Sequence, residues 1–217
     1  MAPSIDRFIA ISCTVVGVGP GGTTSLLARL AIVDYRGATI FDTYVTPTTT
    51  VTDYRTQQTG ITHEHLNSAE AMSFADIQRH CSQFFRGKIL VGHSLWNDLA
   101  GEAESNHLTL VEVRALTFFF DPSTVLGLPH RAIDTRDVGL YMPFRNALRS
   151  PSQTIGLQTL MWQLMSRRCQ EGQINPVENA RAALDLYRSD ADAWEAAIGR
   201  GNWPCALPPS TFSRCYL

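Results

Sequence analysis

Lysine is nearly missing from this chain: Lys88 is the sole one in 217 residues, and the other cations are all arginines. With 18 Lys+Arg against 20 Asp+Glu, the formal net charge is −2, so the basic excess that drives non-specific phosphate binding is lacking. Nucleic acid stays possible as a partner but is not favoured. Long apolar runs are missing too. None approaches the roughly 18 residues of a membrane-crossing helix, and no internal repeat occurs, which excludes a spanning segment and a solenoid. The cysteines Cys13, Cys81, Cys169, Cys205 and Cys215 are odd in number and lack metal-ligand spacing. MAPSIDRFIAISC lacks the charged-then-apolar layout of a leader peptide. A reduced, intracellular and cytoplasmic protein without a membrane partner is expected; composition leaves its oligomeric state open.

What is present is a core. Hydrophobic residues make up 44% of the chain, enough for a single domain over residues 1–198 with an irregular tail over 199–217. RFIAISCTVV (7–16), LLARLAIVDY (26–35) and ATIFDTYV (38–45) read as strands joined by links too short for parallel crossovers, hence an antiparallel meander. SFADIQRHCSQFF (73–85) carries apolar residues at helical spacing behind Ser73, a candidate N-cap. KILVG (88–92) has the near-continuous apolarity of a buried parallel strand, and 156–169 and 176–188 are amphipathic helices. Strands first, then alternation with helices, indicate an α/β fold with a mixed sheet flanked by helices. Residues 100–124, with Phe118, Phe119 and Phe120, read as an insertion.

IAISCTVVGVGPGG, VTDYRTQQTGI at 51–61, ILVGHSLWNDL at 89–99, RDVGLYMPF at 136–144 and VENARAALDLYR at 177–188 resemble the DEDDh 3′→5′ exonucleases. The similarity is to their RNA exonuclease 4 and interferon-stimulated exonuclease branch, from about residue 9 to residue 188. It implies a ribonuclease H-like mixed five-stranded sheet whose first three strands are antiparallel. It also implies a hydrolytic site in which four carboxylates hold two divalent metals and a histidine acts as base. Against that pattern the chain has Ser12-Cys13-Thr14 in place of Asp-Cys-Glu, Ile174 in place of the histidine, and Asn179 in place of the last aspartate. Of the catalytic carboxylates, Asp98 alone matches. The expected metal set is therefore none, the cofactor none, and two-metal hydrolysis absent.

Without those charges the cleft is neutral and partly apolar, which favours a small apolar metabolite held by a few polar contacts. The leading expectation is a metal-independent cyclase, with a pericyclic closure of Diels–Alder type. The arginine-rich, lysine-poor composition is also similar to that of fungal exonuclease-like proteins of natural-product clusters. Candidate catalytic residues are Ser12, Thr14, His93, Asp98 and Asn179, and candidate substrate-binding residues are Trp96, Phe118, Phe119, Phe120 and Ile174. Each has a plainer reading. Ser12 and Thr14 fill space left by larger acids, Asp98 caps a helix, His93 is a packed histidine, and Trp96 sits in a helix–sheet seam. His63-Glu64-His65 lacks metalloprotease spacing, and Gly17–Gly22 joins strand to strand, unlike a dinucleotide loop. Two rivals remain: a pseudonuclease that grips RNA or regulates an active relative, and a residual exoribonuclease using Asp98 and Glu178.

Overall fold

The computed structural model describes residues 3–99, 125–128 and 130–208. The insertion, with its three phenylalanines, lies outside the described residues. Strands β1 (Phe8–Val18), β2 (Thr24–Asp34) and β3 (Thr39–Thr46) form the antiparallel meander expected from their short links. The first link is glycine-rich because its ends meet: a Cβ on Gly17 would sit 2.7 Å from the Gly22 carbonyl oxygen.

β4 (Val51–Asp53) pairs with the end of β1, and β5 (Met72–Ser73) runs parallel to β3. β6 (Ile89–Gly92) lies parallel to β1, with Phe8 opposite Ile89, and β7 (Thr135–Asp137) lies parallel to β6. The strand order is β5-β3-β2-β1-β6-β7, which puts β1 inside the sheet. Five of these strands are those the family pattern implies; β4 and β5 are short additions of three and two residues.

Helices cover both faces. α1 (Thr56–Thr59) and α2 (His63–Leu66) are single turns beside β3 and β4. α3 (Phe74–Phe84) starts at Ser73, whose hydroxyl oxygen accepts from the Asp76 amide. It packs with α4 (Leu95–Leu99) against Ile9, Ile11 and Leu90. On the opposite face, α5 (Met142–Ala147), α6 (Leu157–Met165), α7 (Pro176–Ser189) and α8 (Ala191–Gly199) cover Ala10, Val33 and Val91.

α6 ends earlier than its apolar spacing predicts, because Ser166 turns left-handed at φ 52°. α8 was not legible as a separate helix; Asp190 at φ −135° breaks it from α7, and Trp194 buries it. The described part of the tail is partly ordered by pairing: the Ala206 amide donates to the Leu140 carbonyl and the Met142 amide to that of Pro204.

Candidate functional site

β1 forms the floor of the site. Side chains alternate along a strand, so Ala10, Ser12, Thr14 and Val16 share the face that α7 covers, whereas Ile9, Ile11 and Cys13 share the face of α3 and α4. A β-bulge interrupts the pairing with β2 between Thr14 and Val15, a device that re-aims side chains near functional sites. Thr14 is buried, and its hydroxyl oxygen has no hydrogen-bond partner among the described residues. Ser12 is half-buried beside it on the same face.

Asp98 turns the other way. Its carboxyl lies within electrostatic reach of the Cys13 thiol, whose side chain packs on the sheet face opposite Ser12 and Thr14. Burial pushes the Asp98 carboxyl well above the usual carboxylate range, the negative Asp137 nearby adds to this, and the Cys13 contact opposes it. Burial, reinforced by the Asp98 charge, likewise pushes the Cys13 thiol well up. The α4 end is held by a different acid. Asp137, buried at the end of β7, accepts from the amides of Ser94 (3.2 Å), Leu95 (2.7 Å) and Gly139 (2.9 Å). The start of α4, within which Asp98 lies, is thus held by Asp137.

α7 brings Asn179 to the sheet, but the amide is engaged: its Oδ1 accepts from Gln170 Nε2 at 2.8 Å. Glu178, about 100° further round the helix, accepts from the Gln170 backbone amide at 3.3 Å. Ile174 is half-buried in the loop before α7, and its amide donates to the Gln58 carbonyl at 2.7 Å, tying that loop to α1.

His93 is spanned by hydrogen bonds. Nε2 lies 2.7 Å from the Ile155 carbonyl, which can only accept, so Nε2 carries the proton; Nδ1 then accepts from the Ser94 hydroxyl at 3.2 Å. Trp96 is buried. His65 caps α2, with Nδ1 accepting from the Thr62 amide at 3.1 Å, and its ring stacks on Tyr44. Arg136 and Arg145 are buried, while Arg149 is exposed. The structure therefore gathers Ser12 and Thr14 beneath α7, and sets Asp98 apart from them.

Comparison with known proteins assigns this arrangement. The Exonuclease family model matches residues 13–109. RNA exonuclease 4 of Neurospora crassa is 34% identical over 192 residues, covering 88% of this chain and 40% of that protein. RNA exonuclease 4 of Debaryomyces hansenii is 35% identical, covering 90% and 62%. The chain belongs to the DEDDh-type exonuclease family.

Apoptosis-enhancing nuclease of Pongo abelii is 34% identical over 94% of this chain and 55% of its own length; the chain thus spans two-fifths to three-fifths of these family relatives. The Neurospora crassa Pan2 catalytic unit (protease and nuclease domain) contains the same fold at a TM-score of 0.63, with 21% identity over 93% of this chain and 29% of that one. The Saccharomyces cerevisiae Pan2 module in complex with A7 RNA gives 0.65, with 21% identity over 92% and 31%.

These findings correct the expected substrate and reaction. The relatives are named for RNA, and solved structures of the same fold hold RNA, so the small apolar metabolite, the Diels–Alder-type cyclase and the natural-product setting are withdrawn. Two clefts among the described residues measure about 140 and about 200 Å³ and are partly lined by charged side chains. Small-molecule sites usually offer about 300–1,000 Å³ of mostly apolar space.

The exonuclease family implies a pair of divalent cations, and this donor set does not fit them. Ser12 and Thr14 offer neutral hydroxyls, Asn179 a neutral amide already bonded to Gln170, and Ile174 nothing. Asp98 is held on the far face of β1 with its charged form disfavoured. Among the described residues no group of three or more His, Cys, Asp or Glu is placed to hold a metal ion. Hard cations need several charged oxygens converging at about 2.0–2.6 Å. No described helix is long and apolar enough to cross a membrane.

Proposed function

We propose that the chain binds the 3′ end of single-stranded RNA on the exonuclease scaffold, over β1 and α7, without two-metal hydrolysis. The observation that carries this is the divergence between scaffold and donors. A chain 34% identical to an RNA exonuclease 4 along 88% of its length keeps the sheet and α7 but offers neutral Ser12, Thr14 and Asn179 and an Asp98 whose charged form burial disfavours. The described cysteines are free, which suits a reducing compartment such as the cytoplasm.

The relatives' names favour a second reading, 3′→5′ exoribonuclease activity. One experiment separates them. Fluorescence anisotropy with end-labelled single-stranded RNA is run in EDTA, Mg²⁺ and Mn²⁺, and the same RNA is examined on a sequencing gel. Tight binding that is indifferent to the cation, falls with salt and leaves the RNA intact is the expected outcome. A ladder of shortened products in Mn²⁺ establishes the exoribonuclease instead, and no binding in any buffer removes RNA from the account.

A further inference from the structure

One exposed aromatic stands outside the site on β1 and α7. Trp162 of α6 is 48% exposed, while the other large exposed hydrophobics among the described residues are Ile5, Ile40, Ile133 and Leu207. Its indole already attracts a cation: the Arg168 guanidinium lies 5.4 Å from the ring centroid. Beside it, α6 and α7 enclose the cleft of about 200 Å³, whose walls include Arg167, Arg168, Arg181 and Asn175 and a single acid, Glu178.

The arginines reach this cleft through an unusual loop. Ser166 at φ 52° and Gln170 at φ 58° are both left-handed and bracket Arg167, Arg168 and Cys169. Neither arginine is locked away. Arg167 pairs with Asp185 and Arg168 with Glu171, yet their side chains are 58% and 67% exposed, and exposed pairs contribute little in water. Arg181 is fixed by the Gly37 carbonyl and the Thr39 hydroxyl. The same loop is tied to α7, because Gln170 bonds both Glu178, in the cleft wall, and the candidate residue Asn179.

We propose that the Trp162 indole and this arginine-walled cleft form a second contact for single-stranded RNA, where a base stacks on Trp162 and Arg167 or Arg168 meets the adjacent phosphate. An indole face supplies sequence-tolerant stacking, and guanidinium groups suit phosphate oxygens. The walls hold three arginines and one glutamate, and Glu171 and Asp185, paired with Arg168 and Arg167, bring the local sum to zero. A phosphate therefore meets these guanidinium groups by displacing carboxylates from exposed pairs, which are worth little in water. This inference rests on the RNA reading above and extends it to nucleotides beyond the terminal one.

The test compares labelled single-stranded RNAs of about 4 and about 16 nucleotides, the usual bounds of single-strand sites, on the wild-type chain, Trp162→Ala, Trp162→Phe and the pair Arg167→Ala, Arg168→Ala. Trp162→Ala is expected to weaken the long RNA about tenfold or more, to leave the short RNA unchanged, and to be largely rescued by Trp162→Phe. The arginine pair is expected to flatten the salt dependence for the long RNA. Short-RNA binding in each variant shows that it is folded. Equal affinity of wild type and Trp162→Ala for the long RNA overturns this second contact while leaving the first reading intact. Failure of wild type to bind either length overturns both.

Discussion

Asp98 shows what one carboxyl does when its partners change. In the family pattern it shares metal ions with neighbouring acids; here it lies near the Cys13 thiol, and burial lifts its pKa well above the usual range. Below about pH 3.9 the group is protonated in the folded and unfolded chain alike, so its favourable contribution is complete. As pH rises through the elevated folded-state value, the unfolded chain has already released its proton and that contribution is lost. Every unit of elevation corresponds to about 1.4 kcal/mol. Asp98→Asn is therefore expected to raise the urea midpoint at pH 8 and to change it much less at pH 5; equal shifts at both values would show that Asp98 is ionised and well satisfied in the fold. The residue type was legible in the sequence as the one surviving carboxylate. Its partner was hidden because Cys13 is simply the middle residue of Ser12-Cys13-Thr14, although strand alternation already assigns it to the other face.

At the level of elements, helix starts were read well and helix ends less well. Ser73 caps α3 as its spacing predicts, because a hydroxyl just ahead of an apolar-periodic run is a local signal. The end of α6 is set by Ser166 in a left-handed turn, which serine does not announce as glycine does. α7 carries the site-side Asn179, and its own start depends on Asn175, whose Oδ1 accepts from the Val177 amide at 2.9 Å. Asn175→Ala is expected to cost about 1 kcal/mol and Asn175→Asp to restore most of it, measured by urea denaturation. No loss in the alanine variant would mean that the Ile174–Gln58 backbone contact alone anchors this end. His93 and Asp137 illustrate the same division: their neighbours in sequence were apparent, but the carbonyl of Ile155 and the amides of Ser94 and Leu95 come from distant parts of the chain.

Across the molecule, the edge strand β7 is tied to the last helix by a buried ion pair. Arg136 donates through Nε (2.6 Å) and Nη2 (2.9 Å) to the two Glu195 oxygens, the Tyr187 hydroxyl adds a third bond, and the side chains are only 2% and 12% exposed. Removing one partner leaves an uncompensated buried charge. Glu195→Ala is expected to destabilise by about 3–5 kcal/mol, with the double replacement Arg136→Met, Glu195→Leu recovering most of the loss, read from urea midpoints. A loss below about 1 kcal/mol would mean that solvent reaches Arg136. Amino-acid order alone determined the meander, the parallel strand β6 and the main helices, because periodicity and turn chemistry act over a few residues. The exonuclease scaffold, and the neutral residues expected where that family carries its acids, came from the resemblance of its motifs. Only the tertiary structure decided that burial disfavours the charged form of Asp98, that Asp137 holds α4, and that Arg168 lies over the Trp162 ring. Those outcomes depend on which face of each element meets which distant neighbour, and burial, not local propensity, chooses that face.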